Sequence, residues 1–86
     1  MRGTWWVYMI ACRGGTIYTG IAKDPERRFR LHAAGKGAAY TRINPPVALL
    51  ARKAFPTRAA ALAEEAALKR LPKVGKEAWV RGQSGD

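Results

Sequence analysis

The chain has 86 residues, and two hydrophobic cores within that length would each be too small to fold without staples, so one domain spanning residues 1–86 is expected. A single cysteine excludes an internal disulfide, Cys12 with the lone His32 cannot make a Cys/His zinc site, and such cysteine usage suits the reducing cytoplasm. Sixteen Lys and Arg against six Asp and Glu leave a net charge of +10, which points to a polyanionic partner; the bases are spread along the chain and not set on one bulky amphipathic helix, so nucleic acid is favoured over a membrane surface.

No apolar run of about eighteen residues occurs, and Met1-Arg2-Gly3-Thr4-Trp5 lacks the apolar core of a leader, so the expectation is a chain that is neither membrane-spanning nor secreted. Trp5-Trp6-Val7-Tyr8-Met9-Ile10-Ala11-Cys12 is almost wholly apolar, aromatic and β-branched, which predicts a strand buried on both faces at the sheet centre. Arg13-Gly14-Gly15 is a turn signal, and Thr16-Ile17-Tyr18-Thr19-Gly20-Ile21 returns as a second strand. Asp24-Pro25-Glu26 combines a capping side chain, a preorganised proline and a first-turn acid, predicting a helix through about Ala34 that Gly35 stops. Gly35 to Pro46 reads as a surface loop, and 47–55 as a third strand. Thr57 can cap a second helix from Ala59 to about Arg70, ended by Pro72. Lys73 to Val80 could be helix or strand, and 81–86 is expected to fray. The elements make an α/β chain of the α+β kind: a small three-stranded antiparallel sheet flanked by helices, in the order β-β-α-β-α.

The parity of the hairpin decides what its faces can do. A two-residue turn at Gly14-Gly15 would send Tyr8 and Tyr18 to opposite faces, because side chains alternate along a strand. A three-residue loop, Arg13-Gly14-Gly15, pairs Cys12 with Thr16, Ile10 with Tyr18 and Tyr8 with Gly20, and puts both phenols on one face. For a site shared by the two phenols, the prediction is the odd-length loop or a bulge that restores its parity.

Several chemistries are excluded. Ser84 is the chain's one serine and lies in the tail, so an internal Ser-His-Asp triad cannot form. Cys12 sits in mid-strand, where a packed, inert thiol is expected. Gly35-Lys36-Gly37 follows a helix where a phosphate loop would open one. What remains is Tyr8, then Tyr18-Thr19-Gly20, then Arg27-Arg28 and His32 on the first helix, and Glu64-Glu65 on the second. This constellation resembles the GIY-YIG nuclease family. Tyr8 in Trp6-Val7-Tyr8 stands for the first motif, which here lacks its glycine and isoleucine, and Tyr18-Thr19-Gly20 stands for the second. Arg28 falls eight residues past Gly20, where the family carries its catalytic arginine, and His32 follows one helical turn later. The runs Gly35-Lys36-Gly37-Ala38 and Tyr40-Thr41-Arg42 extend the likeness to small single-domain bacterial members, over roughly residues 5–80.

The resemblance implies a divalent ion, Mg2+ or Mn2+, held by Glu65, which stands four residues before Lys69. Glu65 also falls within an apolar stripe, where a carboxylate needs a cation; that cation could be Lys69 itself, and helical geometry alone leaves Glu64 as an alternative ligand. The resemblance further implies that Arg28 binds the non-bridging phosphate oxygens and that Tyr8 acts as or near the general base, assisted by Tyr18 and His32, with Gly20 as a structural element of the motif. For a free phenol of pKa about 10 to serve so, nearby cations would have to favour its phenolate. Arg27, Arg30, Lys36 and Arg42 would track a phosphate backbone without reading sequence. The expected activity is metal-dependent endonuclease cleavage of DNA, duplex or branched, with RNA left open, low sequence specificity and a role in repair or recombination, by a monomer or weak homodimer. The alternative is a binding module that has lost or attenuated cleavage.

Overall fold

The apolar run Trp5–Cys12 forms β1 and takes the middle place in a three-stranded antiparallel sheet, between β2 (Ile17–Ala22) and β3 (Pro46–Phe55). The structure, a computed structural model, describes residues 3–83. A central strand is covered on both faces, so the side chains of β1 divide between two cores. Val7 and Met9 join Ala61 and Leu68 on one face; Tyr8, Ile10 and Cys12 join Ala22, Phe29 and Leu49 on the other. Val7, Met9 and Ile10 are fully buried, each worth about 1.5–3 kcal/mol of apolar burial.

The hairpin has the predicted parity. Cys12 N–H donates to the Thr16 carbonyl at 2.8 Å, Gly14 and Gly15 take positive φ values of 91° and 87°, and Ile10 pairs with Tyr18 and Tyr8 with Gly20. Both phenols therefore stand on one face. Across β1 the register with β3 shifts twice: Met9 pairs with Ala51 but Ile10 with Leu49, and Ala11 pairs with Ala48 but Cys12 with Pro46. The first shift leaves Leu50 as the extra residue of a bulge and rephases β3, so that Leu49 and Arg52 both fall on the Tyr8 face.

α1 (Pro25–Ala33) begins as its sequence dictates: the Asp24 side chain accepts from Arg27 N–H at 3.1 Å, with Pro25 in the first turn. It ends in a Schellman arrangement, with Lys36 N–H bonded to the Leu31 carbonyl at 2.9 Å, Gly35 N–H to the His32 carbonyl at 3.0 Å, and Gly35 at φ 78°. α3 (Arg58–Lys69) is capped by the Thr57 hydroxyl on Ala60 N–H at 3.1 Å and lays Ala61 and Leu68 against Val7 and Met9.

Two helices go beyond the expected order. α2 (Ala39–Ile43) lies in the stretch read as a surface loop. Five residues carry no readable apolar period and no side chain caps the start, so this helix is held by tertiary contact: Thr41 is buried and the Tyr40 ring stacks on Tyr18 at 5.8 Å between centroids. α4 (Lys73–Gly82) settles the open choice at Lys73–Val80 as helix. Arg81 and Gly82, expected to fray, complete its last turn, because Trp79 anchors it with an Nε1–H bond to Glu64 Oε2 at 3.0 Å and, with Val80, covers the Val7 core. Residues 84–86 of the expected frayed tail lie outside the described residues. Among the described residues no helix is long and apolar enough to cross a membrane.

Candidate active site

Strand pairing, the helix that follows and α2 bring four polar side chains to one place. The Tyr8 phenol is buried, and its oxygen lies 3.0 Å from His32 Nε2. The His32 imidazole is 6.1 Å from the Tyr8 ring and 5.1 Å from the Tyr18 ring, centroid to centroid, with Tyr8 and Tyr18 at 6.4 Å. Arg28, one turn before His32 on α1, stands close enough to Tyr8 for its donors and charge to bear on the phenol. The phenol oxygen thus faces an imidazole nitrogen at hydrogen-bond distance, with a guanidinium nearby. His32, which a helix C-terminus would ordinarily leave at the surface, is only 1% exposed.

Protonation follows from these surroundings. Burial, reinforced by the neighbouring Tyr18 phenol, pushes the Tyr8 pKa well up, and the donors and charge of Arg28 offset only part of it. The protein's own cations do not favour a phenolate: Tyr8 rests as a neutral phenol, because desolvation outweighs the one guanidinium whose charge bears on it. Burial, with the positive charge of Arg28, pushes His32 down from the ordinary imidazole value and keeps it neutral. A neutral imidazole against a phenol O–H is a proton acceptor in place.

Glu65 reaches the site from the other half of the chain. Its side chain is 17% exposed, it pairs with Lys69 Nζ at 3.4 Å, and its charge adds to the upward pressure on the Tyr8 pKa. Glu64 is engaged elsewhere, as the acceptor for Trp79. Of the two carboxylates, only Glu65 bears on the tyrosine. Among the described residues no group of three or more His, Cys, Asp and Glu side chains gathers to hold a metal. A single carboxylate still fits magnesium, which keeps waters and borrows oxygens from substrate phosphate.

The other predicted residues surround this centre. Gly20 lies across from Tyr8 in the sheet. Arg27 and Arg28 line a cleft of about 340 Å³ with Trp5, Ile21, Lys23 and Asp24. The side chains of Arg30 on α1, Lys36 after it and Arg42 on α2 are exposed and enter no hydrogen bond or ion pair among the described residues. Cationic groups also ring Trp5, with Lys23 Nζ at 5.5 Å and the Arg58 guanidinium at 5.6 Å from the ring. Cys12 is buried, its pKa pushed up by that burial, and takes no part.

Two residues at the centre escaped sequence reasoning. Thr41 Oγ1 lies 2.7 Å from His32 Nδ1, and a Cβ at Gly37 would collide with that same nitrogen. The run from Gly35 to Arg42 held the signal, but it marked only the bases. Thr41 and Gly37 matter through contacts made after folding.

The chain belongs to the GIY-YIG catalytic domain family, whose profile matches residues 4–77, and it thus carries a nuclease-type domain. It is similar to a UPF0213 protein of Xanthomonas axonopodis pv. citri, 52% identical over 92% of this chain and 78% of the other. A UPF0213 protein of Natronomonas pharaonis is 38% identical over 99% of this chain and the whole of its own. The solution NMR structure of a UPF0213 protein from Bacillus halodurans superimposes with a TM-score of 0.60 at 40% identity, covering 95% of this chain and 87% of that one. The likeness extends over strands and helices alike.

Proposed function

We propose that this chain is a single-domain, metal-dependent endonuclease that hydrolyses phosphodiester bonds of DNA with little sequence specificity, acting in the cytoplasm in repair or recombination. The observation that carries the reading is the 3.0 Å approach of His32 Nε2 to the buried Tyr8 phenol oxygen, with the Arg28 charge bearing on both, within a chain of the GIY-YIG family.

Hydrolysis needs a deprotonated water, neutralised charge on the phosphorane and help for the leaving oxygen. Tyr8 takes the proton of the attacking water as its own proton passes to His32 Nε2, so the relay never requires a free phenolate before substrate binds. Arg28, exposed beside the phenol, holds the non-bridging oxygens. Tyr18 walls the imidazole against bulk water. A divalent ion held by Glu65 would supply charge neutralisation at the phosphate when bound. Arg27, Arg30, Lys36 and Arg42 track the backbone; with four to six phosphate contacts, an estimate, the logarithmic salt slope on duplex DNA would be about −4 to −5.

The test is nicking of supercoiled and branched DNA by highly purified protein in magnesium, manganese or chelator, beside Arg28→Ala and Glu65→Ala. Metal-dependent cutting lost in both variants is the expected result, with Arg28→Ala costing about 3–4 kcal/mol of transition-state stabilisation. No cutting on any substrate, with salt-sensitive binding retained, would overturn the enzyme reading in favour of a binding module.

A further inference from the structure

Thr41 has one hydroxyl proton and two close partners. Its Oγ1 lies 2.9 Å from the Ala38 carbonyl oxygen and 2.7 Å from His32 Nδ1. A carbonyl can only accept, so the hydroxyl proton belongs to Ala38, and the short contact to the ring requires a proton on Nδ1. Nε2 is then the bare nitrogen, and it is the one facing Tyr8 at 3.0 Å. The opposite assignment would leave one short contact as a repulsion between lone pairs, Thr41 Oγ1 against whichever of Ala38 O and His32 Nδ1 its single proton does not face; the Tyr8 hydroxyl can either donate to Nε2 or accept from it, so the Thr41 contact is the one that decides. A buried site magnifies that cost.

We infer that Thr41 is a positioning residue that fixes His32 in the Nδ1–H tautomer, so that Nε2 stands ready to receive the Tyr8 proton, with Gly37 leaving the space in which the ring is held. The arrangement is built for this purpose at three points. Thr41 is 1% exposed, although it belongs to a five-residue helix on the surface. Its hydroxyl is tied to the first turn of α2 and cannot swing to serve as a donor to the ring without abandoning Ala38. Any Cβ at position 37 would displace Nδ1 from Thr41. The remaining groups against the imidazole are the Tyr18 ring from β2 and the Arg28 guanidinium from α1; neither competes for Nδ1.

The purpose assigned to the tautomer rests on the nuclease reading above, but the tautomer itself can be read without any cleavage. His32 is the chain's single histidine, so two-bond 1H–15N correlation on uniformly 15N-labelled protein reports one imidazole. Near neutral pH the wild type is expected to show a protonated Nδ1 and a bare Nε2. Thr41→Val, which keeps the shape and removes the hydroxyl, is expected to mix in the other tautomer and to lower cleavage by about 10- to 100-fold, the scale on which loss of an orienting partner acts. Thr41→Ser, which restores the hydroxyl, is expected to return both the spectrum and the cleavage rate to near the wild-type state. An Nε2–H tautomer in the wild type would overturn the inference whatever the variants do, as would a folded Thr41→Val whose imidazole spectrum is unchanged. Should the wild type show the Nδ1–H form and Thr41→Val lose it while no preparation cuts nucleic acid, the positioning by Thr41 stands and the nuclease reading fails.

Discussion

The Tyr8 phenol fills the space that a side chain on Gly20 would need. A Cβ at position 20 would lie 2.6 Å from Tyr8 Oη, 2.8 Å from Cζ and 3.2 Å from Tyr18 Cε2. The two residues are paired across the hairpin, so the backbone of β2 is the floor on which the phenol rests. Close approach, not an unusual φ, is what excludes other residues. Gly20→Ala is expected to cost about 1–3 kcal/mol in urea unfolding, as overpacking does. It should also lower single-turnover cleavage disproportionately, because the ring that must move is the one bonded to His32.

Acid should loosen the fold through His32. Its pKa is lowered in the folded chain by burial and by Arg28, so below about 6.5, the ordinary imidazole value, the unfolded chain binds a proton that the folded chain resists. Stability is then complete above that pH and is lost as pH falls through the window beneath it. Urea midpoints between pH 5.5 and 7 should rise with pH in the wild type. They should be flat over the same interval in His32→Gln.

The two adjacent glutamates differ in the contacts they make. Glu64 accepts from Trp79 and so fastens α4, whereas Glu65 faces Lys69 and bears on Tyr8. Glu64→Gln keeps an acceptor for the indole and should leave cleavage within about threefold, while Glu65→Gln should lose most of it, since a bound ion is worth several kcal/mol to the transition state. Trp79→Phe removes the indole donor together with part of the ring packed on the Val7 core and is expected to cost at least about 1.5–3 kcal/mol, the range for hydrogen bonds to charged groups. Thermal melts and nicking assays on the same preparations distinguish the roles.

Thr19 offers a gain. Its Oγ1 is buried without a hydrogen-bond partner among the described residues, on the face of β2 opposite Tyr18. Thr19→Val replaces that hydroxyl by a methyl group of similar shape and should raise the unfolding free energy by about 1–3 kcal/mol, the cost of an unsatisfied buried donor. Cleavage should be unchanged, because the side chain points away from the imidazole.

What could be read ahead of folding is what short-range rules govern. The parity of the Gly14-Gly15 hairpin follows from a period of two and one count of residues, and it put Tyr8 and Tyr18 on a common face. The start and stop of α1 follow from Asp24, Pro25 and Gly35, each acting within a turn of its neighbours. α2 was hidden because five residues cannot display a period, and its stability comes from Tyr18 and His32, far away in sequence. Thr41 was hidden for the same reason. A helical wheel does not separate Glu64 from Glu65, and the bond that Trp79 makes to Glu64 comes from α4, fifteen residues away, where no local pattern reveals it. The resting protonation of Tyr8 is not legible in the sequence, because charge is visible there and burial is not.

The twice-shifted register of β3 has a bearing on how copies of this chain meet. β3 is an outer strand, and an outer strand with regular spacing invites another chain to add to the sheet. Here the regular spacing is broken at Leu50 and again at Val47, which stands 65% exposed, and the strand opens on a proline that has no N–H to offer. Exposed Arg52 and Lys53 add charge to the same rim. An approaching strand would find regular spacing only over Ala51–Phe55, where Arg52 and Lys53 set charge on the rim, so the Pro46–Leu50 half of this border resists edge-to-edge aggregation even where the apolar side chains of β3 are in view.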